Sequence, residues 1–332
     1  MSNNRIFYAI QAVGLNSSGA TSTGDITGAT WVKGVQSVGV TTNFSLEQAF
    51  ELGQLDVYAN VEQVADVEIS ISKVIDGYEL LYQAAAGTTN ASTNIVAAGD
   101  NACSAFLIIF PDTNSNASGT PNIIMHCSGM RMGSASYTFP VDGNATEDVT
   151  LVGNHKKFYT GAQFSNIDIN TGFKPITLDP HGPNNGLTRR QNFILASSVM
   201  PAEVVAASRG TGTGALQNVS ISVDFGRDNI YELGSYQPYY KFASYPIAVT
   251  SDFELIATTG DQVSISTSNT PTLEDRTIKI VTQAGSGQAY EFNLGTKNKL
   301  QSVNYTGGDT GGGNATVTFS YQGFNKLLVT SL

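Results

Sequence analysis

The sequence predicts a mainly β protein, built as two tandem antiparallel β-sandwich or barrel domains with minor short helices. Three observations carry that expectation. Segments of apolar–polar alternation recur along the whole chain. The composition favours strands and turns. Gly is 34 of 332 residues, above the ~7% of an average protein, and Ser, Thr and Asn are abundant. Lys and Glu, which favour surface helix, are sparse. The third observation is an internal repeat. Val35–Phe44 lies over Leu216–Phe225, and Ala49-Phe50-Glu51-Leu52-Gly53 continues over Ile230-Tyr231-Glu232-Leu233-Gly234 at the same offset of 181 residues.

A second matched block follows in the same order. Ser134–Thr138 lies over Ser302–Thr306. Asn144-Ala145-Thr146 and then Val149-Thr150-Leu151 lie over Asn314–Phe319. The two blocks divide the chain into an N-terminal arm (1–29), repeat A (30–165), a connecting segment (166–209) and repeat B (210–332).

The elements can be taken in order. Leu46–Phe50 has the spacing of a short helix. Val67–Ser72 alternates with period two and reads as a strand with one face to a core, followed by a turn at Asp76-Gly77. Glu79–Ala86 is rich in helix formers. Ala102–Phe110 and Ile123–Cys127 are apolar strands, and Asp142-Gly143 is a turn. Asp179–Gly186, with two prolines, is a loop. Pro201 opens a short helix, and Arg209–Gly214 is a hinge. Val219–Asp224 and Ala315–Tyr321 alternate again, and Gly307-Gly308-Asp309 turns the chain.

No constellation for catalysis stands out. His126 and Cys127 are neighbours on a strand, so their side chains point to opposite faces and do not form a nucleophile pair. His155 and His181 fall in polar turns. No Cys or His spacing matches a zinc site. Asn166–Gly172 lacks the closing Glu of a calcium loop, and Gly210–Gly214 lacks the Lys of a phosphate loop. No enzyme activity, cofactor or metal is therefore expected. Cys103 and Cys127 read as buried thiols rather than a disulfide. The net charge of −10 argues against a protein that grips nucleic acid. The N-terminus lacks a signal-peptide pattern and no apolar run is long enough to span a membrane, so a soluble protein made in a cytoplasm is expected.

The run Phe50-Glu51-Leu52-Gly53-Gln54-Leu55-Asp56-Val57-Tyr58, followed by the acidic strand Val67–Ser72 and Ile75-Asp76-Gly77-Tyr78, resembles the tail tube proteins of tailed bacteriophages. Repeat B keeps Tyr231-Glu232-Leu233-Gly234 and a comparable strand at Phe253–Ile256, but has Thr258-Thr259-Gly260-Asp261 in place of the Asp-Gly turn. The resemblance implies a virion tail protein, assembled in the host bacterial cytoplasm. Its tube-like units would associate side by side into stacked rings through which genomic DNA passes without specific binding. With two units per chain, it implies a trimeric, pseudo-hexameric ring rather than a hexamer, contacting other tail proteins. The assembly candidates are Phe44, Glu51, Leu52 and Gly53, with their counterparts Phe225, Glu232, Leu233 and Gly234. Gly53 and Gly234 are candidates for positive φ. The candidates for lumen charge are Glu47, Asp56, Glu62, Asp66 and Glu68. Two other readings stay open. One is a baseplate, hub or tail-end ring that does not polymerise. The other is a carbohydrate-binding adhesin using Trp31 and the aromatic run Tyr236–Phe242.

Overall fold

The computed structural model describes residues 5–17, 29–76, 78–86, 93–94, 101–113, 117, 119–160, 187–194, 200–208, 215–265, 273–284, 288–307 and 313–331. Along the first half the elements are β1 (Gln11–Asn16), β2 (Thr30–Trp31), β3 (Val35–Asn43), β4 (Leu46–Phe50), β5 (Val57–Glu62), β6 (Asp66–Val74), α1 (Leu81–Ala86), β7 (Thr93–Asn94), β8 (Cys103–Ile109), β9 (Ile123–Pro140), β10 (Thr146–Gly153) and β11 (Lys157–Thr160). The second half holds β12 (Phe193–Ile194), α2 (Ala202–Ala207), β13 (Leu216–Asp224), β14 (Arg227–Ile230), β15 (Tyr240–Ala243), β16 (Ala248–Ile256), β17 (Arg276–Ala284), β18 (Gln288–Thr306), β19 (Thr316–Phe324) and β20 (Leu328–Ser331). The fold is mainly β, as the alternation predicts. The expected loop at Asp179–Gly186, the glycine hinge at Gly210–Gly214, Asn166–Gly172 and His181 lie outside the described residues.

The alternating segments build one long antiparallel sheet. Its path is β18-β19-β16-β13-β9-β10-β6-β3. The same four-strand order thus occurs twice, as β18-β19-β16-β13 and as β9-β10-β6-β3. The two sets join where β13 pairs with the C-terminal half of β9, with Ile221 opposite Tyr137 and Val223 opposite Ala135. β3 and β13, matched in sequence, hold the same place in each set. The later match needs a correction. Val149 lies opposite Ala135, and Phe319 lies opposite Val303, so Val149 corresponds to Phe319 rather than to Val317. A slip of two residues keeps every side chain on its own face of a strand, so the alternation cannot reveal it.

β9 and β18 are long enough to serve two sheets. Each starts in a second layer, passes a glycine of positive φ, Gly129 (φ 64) or Gly295 (φ 83), and then enters the long sheet. In the second layer β9 pairs with β8 and β11, and β1 and β2 extend the layer beyond β8. β18 pairs likewise with β17 and β20, with β12 and β7 at the margins. The N-terminal arm therefore supplies a strand, β1, to the fold.

A single apolar core runs through both sets of strands, from Ile69, Ile71 and Leu151 to Phe253, Phe319 and Val329. Phe292 of β18 ties them together. Its ring lies 4.7 Å from that of Tyr137 and 5.5 Å from that of Phe139. Leu46–Phe50, read as a helix from its spacing, is instead strand β4, paired with β5. A five-residue helix has too few internal hydrogen bonds to stand alone, whereas a hairpin satisfies the same backbone groups across the ladder. The helix expected at Glu79–Ala86 begins at Leu81, and the one after Pro201 spans α2.

α1 starts where a buried carboxylate holds it. Glu147 accepts hydrogen bonds from the N–H groups of Leu81 (2.6 Å) and Tyr82 (3.2 Å). It faces Lys73 across the ladder, and the Lys73 ammonium lies 2.6 Å from Asp76. Burial pushes the Glu147 carboxyl up to about 7, against the lowering effect of those N–H groups and of Lys73. The raised value means that the fold prefers the protonated acid. Its contribution to stability is complete below the ordinary carboxyl range and is lost as pH rises through about 7. Glu147→Gln is expected to flatten that decline. Urea midpoints of both proteins at about pH 5 and about pH 8 check it, and parallel declines would refute it.

Candidate functional site

Among the described residues the sheet ends in two unpaired edges: β3 bonds only to β6, and the C-terminal half of β18 bonds only to β19. These are the two partners that meet, as β13 and β9, inside the chain. At that internal junction Phe225 donates its N–H to Gly133 O at 2.9 Å, and Val141 donates to Gln217 O at 2.8 Å. Odd-numbered residues of β13 therefore face β9. By correspondence Val38, Val40, Thr42 and Phe44 turn their backbone groups to the open edge.

Burial differs between the internal junction and the open edges. Phe225 and Tyr137 are fully buried, at 0% exposure each, whereas their counterparts Phe44 and Tyr305 are 64% and 53% exposed. Val219 and Ile221 lie in the core, while Val38 and Val40 are only partly buried. The residues compared are alike in type, and β13 and β9 pair with each other where β3 and β18 have no such partner among the described residues. Phe225→Ala is expected to destabilise the fold by about 3–5 kcal/mol, as for a buried ring. Phe44→Ala is expected to leave it within about 0.5 kcal/mol of the parent while weakening self-association. Denaturant melts paired with sedimentation velocity separate the two effects.

Two hairpins project from one end of the sheet. β4 and β5 lie between β3 and β6, and β14 and β15 lie between β13 and β16. Each carries the same turn. Gln54 N–H donates to Glu51 O, and Ser235 N–H donates to Glu232 O, with Gly53 at φ 96 and Gly234 at φ 91. A turn with positive φ at its third residue favours glycine there. The turn holds the preceding leucines, Leu52 and Leu233, at 103% and 105% exposure. Phe50, Leu55 and Tyr58 on the first hairpin and Tyr231, Tyr236 and Tyr239 on the second are exposed as well.

The second hairpin leans on the first unit. Tyr236 donates to Glu62 O, Lys241 lies 3.5 Å from Asp66, and Arg131 stacks over the Tyr240 ring at 4.0 Å. Burial lowers the Lys241 pKa, with Asp66 opposing the shift. A groove of about 430 Å³ beside these contacts is lined by Asp66, Glu68, Asp224, Arg227 and Lys241.

The solvent face of the sheet is a field of hydroxyls and carboxylates. One row reads Ser72, Asp148, Ser136, Ser222, Thr250 and Gln322 across successive strands. Ser222 and Thr250 hydroxyls are 2.6 Å apart, and Ser220 donates to Asp252. Glu68, Asp224 and Glu254 share strands with this row, while Lys73 is turned to the buried side.

The sequence-derived candidates fall into distinct places. Glu51, Leu52, Gly53, Glu232, Leu233 and Gly234 form the two hairpin turns. Phe44 lies exposed at the open edge, but Phe225 is buried within the chain, which removes it as a contact to another molecule. Glu47, Asp56 and Glu62 sit on the first hairpin rather than on the sheet face, and Glu47 accepts a hydrogen bond from Gln63. Glu68 is on the sheet face, and Asp66 is taken up by Lys241, Asn154 and Asn229. Sequence reasoning missed Asp148, Asp252 and Glu254, whose alternation placed them outward but gave no reason to group them. It also missed Tyr305, which the match to Tyr137 could have marked.

Elsewhere, Cys103 and Cys127 are free and buried, and burial pushes both thiols up to about 12. The His126 ring stacks on Phe106 at 4.6 Å, and neither ring nitrogen has a hydrogen-bond partner among the described residues. Burial lowers its pKa. His155 Nδ1 lies 2.8 Å from the Ser128 hydroxyl. Among the described residues no three His, Cys, Asp or Glu side chains cluster as metal ligands, and no helix is long and apolar enough to cross a membrane.

No family model and no curated protein matches the sequence. Among solved structures, the chain is similar to one from the sixfold-symmetrised baseplate of the anti-feeding prophage, determined by cryo-electron microscopy. The TM-score is 0.34 at 7% identity, over 48% of this chain and 99% of that one.

Proposed function

We propose that the protein is a structural component of a phage-type tail, three copies joining edge to edge into a ring whose stacking makes a DNA-conducting tube. One observation carries the ring. The two open edges of a chain are the two sides of a junction that the chain already contains. Transferring that junction sets β3 of one copy antiparallel to β18 of the next, with Thr41 opposite Asn304 and Val40 opposite Tyr305. Such pairing would bury Phe44 and Tyr305 as Phe225 and Tyr137 are buried. A head-to-tail contact of this kind closes into a ring when its rotation permits. It also consumes the edges that would otherwise invite indiscriminate association.

The dimensions suit a conduit. Each chain contributes eight strands, from β18 to β3. Three chains spaced at ~4.8 Å per strand make a circumference of about 115 Å and a diameter of about 37 Å, more with strand tilt. The face opposite the core would line the bore, and its Ser, Thr, Asp and Glu side chains repel phosphate weakly rather than bind it. The resemblance of Phe50–Tyr58 and Val67–Tyr78 to tail tube proteins supports the same reading.

End-on electron microscopy of the purified protein tests it. Threefold averages with six lobes around an open centre are expected. Monomers that persist at high concentration would overturn it. Rings that never stack would favour a baseplate, hub or tail-end ring over a tube.

A further inference from the structure

The end of the sheet away from the hairpins carries a cavity of about 140 Å³ at the junction of the two sets of strands. Its size is close to the ~150 Å³ that a benzene-binding cavity offers after removal of one core leucine. Phe139 from the end of β9, Leu216 from the start of β13 and Phe193 of β12 supply apolar walls, and the exposed Arg189 and Arg190 line it too. Two residues of its lining hold a buried polar atom without a hydrogen-bond partner among the described residues: the hydroxyl of Thr188, a residue 1% exposed, and Asn218 Oδ1. Arg189 Nε donates to Asn144, which tethers it at the site, and the exposed Arg190 lies 4.0 Å from the exposed Asp142.

At the opposite end, Leu52 stands fully exposed on a fixed turn, with Glu51 before it. The segment 44–65 bears Glu47, Glu51, Asp56 and Glu62 and no Lys or Arg. The second hairpin carries Arg227 and Lys241 beside Asp228 and Glu232, so its charges cancel. The first hairpin is therefore the one whose charge complements the arginines.

We propose that the β4–β5 hairpin of a second copy, in the next ring, seats Leu52 in this cavity with Glu51 directed to Arg189 and Arg190. This rests on the ring reading above and adds the contact that joins one ring to the next. The surfaces are different and lie at opposite ends of the chain, so the contact is heterologous and propagates without closing, as a filament requires. The leucine fills the apolar space between Phe139, Phe193 and Leu216. The arginines meet the acidic hairpin as a charge-complementary rim.

Stack length in negative stain tests the proposal on the full chain. Leu52→Ser is expected to leave single rings and to abolish stacks. Arg189→Glu with Arg190→Glu is expected to do the same, and adding Glu51→Arg and Asp56→Arg is expected to restore them. Stacks of unchanged length in the first two variants would overturn the proposal while leaving the ring intact. So would wild-type rings that never stack. Should no rings form, the ring reading itself fails, and Leu52→Cys combined with Leu216→Cys still decides the contact. An interchain disulfide under mild oxidation is expected, and its absence would count against the seating of Leu52.

Discussion

Thr42→Pro is expected to give a folded monomer that forms no rings. The correspondence with β13 turns the Thr42 N–H to the open edge, where it bonds to nothing within β6. Proline there removes the donor that an incoming β18 would use, together with the hydroxyl that accepts a hydrogen bond from Lys156, so Thr42→Val serves as the control for the lost hydroxyl. Thr41, before it, is already extended, which is the conformation that a residue preceding proline prefers. Helix and strand content and the urea midpoint should match the parent, while the sedimenting mass falls from about three chains to one. A parent-like ring population would mean that β3 is not the contact. A collapse in stability would mean that the edge is already used inside the fold. The variant separates assembly from folding, which a substitution of Val40 cannot do, because that side chain also packs on the core.

Phe292→Ala is expected to have the largest effect on stability. Its ring is fully buried and bridges Tyr137 and Phe139, residues of the other four-strand set. Loss of a buried phenylalanine costs about 3–5 kcal/mol, from lost transfer energy and the cavity left behind. Because one core spans both sets, the variant should still melt in a single transition at lower denaturant concentration. Two separated transitions would show the sets folding as independent domains, with Phe292 serving only one of them.

Much of this was legible in the sequence. The match of β3 with β13 is legible because ten residues align without a gap, and the Glu-Leu-Gly blocks because they repeat at the same offset, with Gly53 and Gly234 expected at positive φ. The displaced match at Val149 was not recoverable, since a period of two is blind to a slip of two. Leu46–Phe50 carried a helical spacing that the hairpin ladder overrode. The contrast between Phe44 and Phe225 could not be read at all. Both are phenylalanines at matched positions, and the sequence does not show that β13, unlike β3, has β9 beside it. The cavity was equally invisible, because Phe139, Phe193 and Leu216 are far apart in the chain and meet only when β9, β12 and β13 converge.

The edge pairing is tested most directly by a disulfide placed across it. Thr41 and Asn304 correspond to Ser222 and Ser136, which face each other at a position where neither exchanges ladder hydrogen bonds. Such pairs bring Cα atoms to about 4.5 Å, within the range a disulfide spans. The native thiols are buried and do not interfere. Thr41→Cys with Asn304→Cys should oxidise to a ladder of two and three linked chains on a non-reducing gel, ending at about 105 kDa from chains of 35.1 kDa. No linkage in concentrated protein would contradict the pairing of β3 with β18, and a ladder running on past three would contradict the closed trimer.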